Sequence, residues 1–233
     1  MMIRLLLAML VALPLRAGGD EIDRFTRSNL LATLYHEVGH ALVDVLDLPL
    51  LGGEEDAADA AAIHLVEMLH PEIEARAIVQ DVARLYAFEH RERPDAFPHH
   101  SRYSTDLRRS WNAVCFFYGG DPGNRAGFAR KMGLPDDRRG SCPEERERQK
   151  RAWDAVLAKV PGPGDSFRLR KRRDPAEAAL SGAIAALNAH VALPRPVHVR
   201  VEPCEEANAY YETGPDTILI CTELSAYIAA RRN

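Results

Sequence analysis

Five consecutive residues, His36-Glu37-Val38-Gly39-His40, set two imidazoles four positions apart with a carboxylate beside the first. In a helix, four residues advance the chain by about 400° and about 6 Å, so both rings leave one face and can grip a single metal ion. Imidazole nitrogens reach zinc at ~2.0–2.1 Å, and a catalytic zinc takes three protein ligands while keeping a fourth position open. Glu37 would flank that open position, placed to take a proton from water as a general base. The missing ligand must be an Asp or Glu from a neighbouring element. The run Glu54-Glu55-Asp56-Ala57-Ala58-Asp59 offers one, and Glu55 is the candidate. Asp59, four residues on and on the same face, can accept a hydrogen bond from the second nitrogen of a ligand histidine and so fix its tautomer. Acidic residues in a first helical turn also stabilise a helix by ~0.3–1 kcal/mol with no further role. That accounts for Glu54 and Asp56. It does not account for Asp59, one turn deeper and followed by Ala60, Ala61 and Ala62, which leave room for a close helix approach. With 9 histidines in 233 residues, a chance HExxH is an event of about a few per cent, so the surrounding pattern carries the argument.

The elements that must hold these residues follow from periodicity. Leu31, Leu34, Val38, Leu42 and Val45 recur at helical steps, predicting a helix from Glu21 to about Leu46 with one buried face. Pro49 and the pair Gly52-Gly53 turn the chain into a second helix, Glu54 to about Leu69, stopped by Pro71. Further helices are expected over Ile73–Glu89, Thr105–Tyr118, Pro143–Val160 and Asp174–Ala189, with an irregular loop from Arg91 to Tyr103. Pro161-Gly162-Pro163-Gly164 marks a linker, 161–174, and the basic run Ser166–Arg173 within it reads as a solvated edge. Past Pro196, Val197, Val199 and Val201 alternate with His198, Arg200 and Glu202. Thr217–Cys221 is a second strand-like run after Gly214-Pro215-Asp216. The two are expected to form a hairpin closed by a short helix, Thr222–Ala230. The fold class is α+β, mostly helical with a small C-terminal β-hairpin or sheet. The expected organisation is one domain over 18–233, divided into a helical active-site part (20–160), the linker, and a helix plus hairpin (175–233).

Composition bounds the function classes. The chain is 46% hydrophobic and 27% charged with a formal charge of -4, and its basic residues are scattered, which argues against nucleic acid as a partner. Met1 to Arg4, an apolar run from Leu5 to Leu15, and Arg16-Ala17-Gly18-Gly19 form a charged start, a short hydrophobic stretch and a small-residue exit. This reads as a signal peptide over 1–17; the run is about half the ~20 residues of a spanning helix, so no stable membrane anchor is expected. The expected location is therefore secreted or periplasmic. Four cysteines in an oxidising compartment favour two disulfides. Three pairings exist; the one adopted here joins Cys115 to Cys142 and Cys204 to Cys221.

The strings Tyr35-His36-Glu37-Val38-Gly39-His40-Ala41-Leu42, Leu48-Pro49 and Gly53-Glu54-Glu55-Asp56-Ala57-Ala58-Asp59 resemble a bacterial metallopeptidase family of unknown function, related to the gluzincins. The resemblance extends to Asn112, Cys115, Tyr118-Gly119, Asp121-Pro122, Cys142, Glu145, Cys204, Asn208-Ala209-Tyr210-Tyr211, Cys221 and Glu223. It implies a zincin-like fold and a secreted zinc protease acting on a peptide or protein substrate. Asn208, Ala209 and Tyr210 are also similar to the edge strand with which thermolysin-like enzymes bind substrate backbone beside the metal. There that strand precedes the HExxH helix, so the order here looks circularly permuted. An oxyanion stabiliser is sought among His100, Tyr103 and Arg109, because the family's histidine and Gln-Arg pair is matched only in part by His99, His100, Arg108 and Arg109. His64, His70, His90, His190 and His198 read as surface or satisfied core residues. The runner-up function is a non-catalytic, zinc-containing peptide-binding module of the cell envelope, and a structural zinc site is a third reading.

Overall fold

The computed structural model describes residues 22–94, 101, 103–170 and 174–232. The signal-peptide segment and His100 lie outside them. Helix α1 (Arg24–Val45) starts where the Asp23 carboxylate accepts the backbone N–H groups of Phe25 and Thr26. Around it stand α2 (Glu54–Leu69), α3 (Glu72–Glu92), α4 (Asp106–Gly120), α5 (Pro122–Lys131), α6 (Asp136–Arg139) and α7 (Cys142–Leu157). A second part follows: β1 (Phe167–Leu169), α8 (Pro175–His190), β2 (Val197–Glu202), β3 (Ala209–Glu212), β4 (Thr217–Cys221) and α9 (Thr222–Ala229). The molecule is α+β, mostly helical with a small four-stranded sheet.

The apolar periodicity of α1 is the core: Leu31, Leu34, Val38, Leu42 and Val45 are all buried. So are Leu30 and Tyr35, because α1 packs against α2, α3, α8, α9 and two strands and has little solvent face left. At Gly39 α1 runs tight against α2: an added Cβ would lie 2.9 Å from Ala58 Cα and 3.1 Å from Ala61 Cβ. The glycine inside the HExxH segment and the alanines of α2 therefore bring the two helices close enough for short side chains to meet. Disulfide Cys115–Cys142 ties α4 to α7, and Cys204–Cys221 ties the segment after β2 to the end of β4.

Three expectations are corrected. Strands β2 and β4 do not form a hairpin; they pair parallel, with Val199 opposite Ile218, in a sheet of order β1-β2-β4-β3. β4 is buried along almost its whole length, as a strand with a neighbour on each side should be. Its hairpin partner is β3, which pairs with it antiparallel. β3 escapes recognition because it has four residues and no buried alternation. The basic run also contains β1, whose Phe167 is buried while Arg168 is exposed; three residues are too few for a period to register. Finally, α5 and α6 occupy a stretch for which no element was expected; Asp121 caps α5 through Asn124 N–H.

Candidate metal centre

His36 and His40 leave α1 on the face turned toward the start of α2. Their rings meet edge to face, centroids 4.8 Å apart, with the two Nε2 atoms separated by 3.1 Å. Glu55, from the first turn of α2, brings Oε2 to 3.4 Å from His36 Nε2 and 3.6 Å from His40 Nε2. Among the described residues these three form a group whose donor atoms all lie within 4.8 Å of one another. A tetrahedral ion with bonds of ~2.0–2.1 Å needs its ligand atoms about 3.3 Å apart, and the observed triangle brackets that spacing. The other such group, Cys204, Cys221 and Glu223, has both sulfurs in a disulfide and lacks thiolates to offer.

Behind the triangle, each imidazole has its own carboxylate. His36 Nδ1 lies 2.8 Å from Asp59 Oδ1, and His40 Nδ1 lies 2.7 Å from Glu54 Oε1. A proton donated from each Nδ1 leaves the Nε2 lone pairs facing Glu55 and the space beside it. Glu54 is the residue that helix-dipole reasoning set aside. Adjacent residues on a helix project about 100° apart, so Glu54 and Glu55 serve two different edges of the site, and that offset was the available signal. Asp59 is in turn held by Arg109, whose Nε and Nη2 each donate to it at 2.7 Å. The Arg109 guanidinium also lies over the Tyr86 ring at 4.3 Å.

The electrostatics follow from this packing. Burial works against charge on His36, but hydrogen bonds to Asp59 and Glu55 outweigh it and lift its pKa to about 9. Burial likewise opposes ionisation of Glu55, yet the two imidazoles hold its carboxyl well below the usual range. Asp59 is also held low, its burial outweighed chiefly by the Arg109 charge. Glu37, buried beside the rings, has its pKa pushed up by desolvation.

Glu37, His36 and His40 face a cavity of about 690 Å³. It runs along α1 from Asn29 to His40, a rise of about 16 Å or about five extended residues. Tyr103 and Arg109 also border it. So do Asn208, Ala209 and Tyr210, because β3 is the outer strand of the sheet. Cys221 N–H donates to Asn208 O in the β3–β4 ladder, and antiparallel pairs alternate residue by residue. Asn208 and Tyr210 therefore turn their backbone polar groups inward, while Ala209 and Tyr211 turn theirs outward. Tyr211 fixes the strand, its hydroxyl lying 2.8 Å from Asp44 Oδ2 and 3.0 Å from Asp216 Oδ1, with one proton to donate to either carboxylate.

Residues 15–157 match a protein family described as "Putative metallopeptidase". The chain belongs to that family. The matched region spans the HExxH helix, Glu55, Asp59 and Arg109, whereas the sheet and α9 lie beyond it. Membership implies a metal cofactor and, for a peptidase, peptide substrates. No curated protein matches the chain. No solved structure matches it.

Proposed function

We propose that this member of the family is an exported zinc peptidase in which His36, His40 and Glu55 hold the metal and Glu37 is the general base. The observation that carries the reading is the convergence of two Nε2 atoms and one carboxylate oxygen at spacings a tetrahedral zinc ion fits. Their protonation supports it too: Glu55 is ionised, and the two imidazoles have a raised affinity for protons that a divalent cation would displace. When bound, zinc supplies a Lewis acid that polarises a carbonyl and acidifies water.

The remaining work falls to side chains and backbone. Glu37, its basicity raised by burial, takes the proton of the attacking water and passes it to the leaving nitrogen. Asp59 and Glu54 hold the two imidazoles in the tautomer that presents Nε2. Arg109 spends two donors on Asp59, so its role here is to position that carboxylate, in place of the oxyanion contact expected from sequence. The outward backbone groups of Tyr211 and the outward carbonyl of Ala209, whose own N–H donates to Asn208 Oδ1, offer an extended peptide main-chain hydrogen bonds, as an edge strand does. β3 reaches that position from the C-terminal side of the chain, the permuted order relative to thermolysin-like enzymes. Two disulfides suit an oxidising compartment, and no described helix is long and apolar enough to cross a membrane.

The test is metal analysis of the purified protein together with a peptide-library digest. One zinc per chain and cleavage by the wild type are expected, with Glu37→Gln retaining zinc but losing about 10²- to 10⁴-fold in rate. Equal turnover by Glu37→Gln would remove the mechanism. Equal peptide affinity of both proteins without cleavage by either would favour the binding-module reading.

A further inference from the structure

The cavity does not end at the metal site. It is also lined by Val82 and Leu85 of α3 and by Leu224 and Ile228 of α9. The polar side chains that α3, its C-cap and α9 add to this lining are Tyr86, Glu89 (one turn beyond Leu85), Arg93 and Tyr227. The Tyr227 hydroxyl donates to Glu89 Oε1 at 2.9 Å. Among the described residues no other hydrogen bond or ion pair reaches that carboxylate. Arg93, the cation on the rim, donates instead to the Tyr227 hydroxyl at 3.4 Å. Arg109 and Arg93 lie near enough to favour its ionised form without pairing with it, so this partly desolvated carboxylate can still take a direct ion-pair partner from within the cavity.

We propose that this end of the cleft is a subsite for a cationic group of the substrate, an ammonium or guanidinium received by Glu89 after its aliphatic stem has packed against Val82, Leu85 and Leu224. The inference rests on the peptidase reading and adds to it a substrate class: peptides with a basic group near the scissile bond. A lysine or arginine side chain has the required shape, an apolar stem with a charged tip. A free α-amino group carries the same charge on a shorter reach. Burial raises the pKa of Glu89, so an ionised Glu89 gains more from a cation than an exposed carboxylate would.

The experiment compares kcat/KM for matched peptides carrying lysine, arginine or norleucine near the cleaved bond, each with a free or an acetylated N-terminus. The wild type should favour a cationic peptide over its neutral counterpart by about tenfold or more. Glu89→Gln, which keeps the size of the side chain and an acceptor for Tyr227, should collapse that ratio toward one. Tyr227→Phe leaves the carboxylate in place and should retain the preference. Dependence on lysine and arginine with acetylated termini identifies the side chain as the cation; dependence on the free terminus identifies the α-amino group. Equal cleavage of lysine and norleucine peptides irrespective of the terminus, or an unchanged ratio in Glu89→Gln, overturns the subsite while leaving the peptidase intact. No cleavage of any peptide, with wild type and Glu37→Gln indistinguishable, brings down the peptidase reading and the subsite together.

Discussion

Two polar networks in this protein use the same three residue types to opposite ends. At the cleft, Arg109 grips Asp59 and Asp59 grips His36, whose free nitrogen faces Glu55 and open space. Between α2 and α7, Arg146 lies against Glu67 and against His64 Nδ1, the latter at 3.2 Å, and Asp154 stands 3.2 Å from the other ring nitrogen. The order of contacts decides the outcome. In the first, a carboxylate stands between cation and imidazole, and the His36 pKa rises to about 9. In the second, burial and the adjoining Arg146 charge drive that of His64 down to about 4. A histidine shielded from its arginine by an acid is ready for a cation; one that touches the arginine stays neutral and structural.

The contrast is broken most severely at Glu67, the carboxylate that contacts both Arg146 and Arg125. Arg125 has Glu72 in reserve at 2.6 Å. Among the described residues Arg146 forms no ion pair with a second acid, and its Nε and Nη1 already lack hydrogen-bond partners. Glu67→Met therefore strands a buried cation and should cost about 3–5 kcal/mol of folding stability, read from urea unfolding. Zinc content per folded chain should stay at the wild-type value. A loss of metal in step with stability would mean that the two networks are coupled.

A milder probe uses pH. An unfolded histidine titrates near 6.5, and His64 in the fold near 4, so both forms are neutral above pH 6.5 and the full stability is present there. Below it the unfolded chain takes up a proton that the folded chain refuses, and stability falls as pH drops toward 4. The loss between pH 7 and pH 5 is about 2 kcal/mol. The difference in unfolding free energy between wild type and His64→Leu, followed over that range, isolates it. A difference independent of pH would show that folding leaves the His64 pKa unshifted, and one that grows in favour of the wild type as pH falls would show that His64 is protonated in the fold.

These networks also mark how far the sequence could be read. His36, His40, Glu55 and Asp59 were legible because both helices carry their chemistry at spacings of four, and one helical period relates each pair. Ala60, Ala61 and Ala62 announced a close approach, which the fold makes at Gly39 against Ala58 and Ala61. Arg109 was singled out, but not its hold on Asp59 fifty positions away, because no local period encodes a contact between α2 and α4. Glu89 drew no notice for a related reason: on α3 it continues the polar face of an amphipathic helix, and only the packing of α9 turns that position into the wall of a cleft. The strand order failed most plainly. Alternation names the faces of β2 but says nothing about which strand lies beside it, and the parallel β1-α8-β2 crossover hung on a three-residue strand.

The smallest expected effect sharpens the comparison most, because it separates two roles for one residue. If Arg109 acts through Asp59, Arg109→Met frees that carboxylate to rotate, His36 loses its fixed tautomer, and zinc affinity falls about 10- to 100-fold in a chelator competition. Arg109→Lys keeps the charge but cannot donate twice in one plane, so it should recover only part of the affinity. Were Arg109 instead to touch the substrate oxyanion, both variants would bind zinc as the wild type does and lose turnover alone. Both donors toward Asp59 measure 2.7 Å, and Tyr86 covers one face of the guanidinium. A side chain held in that way is committed to Asp59, and the affinity measurement is where its bearing on the proposed metal site would show.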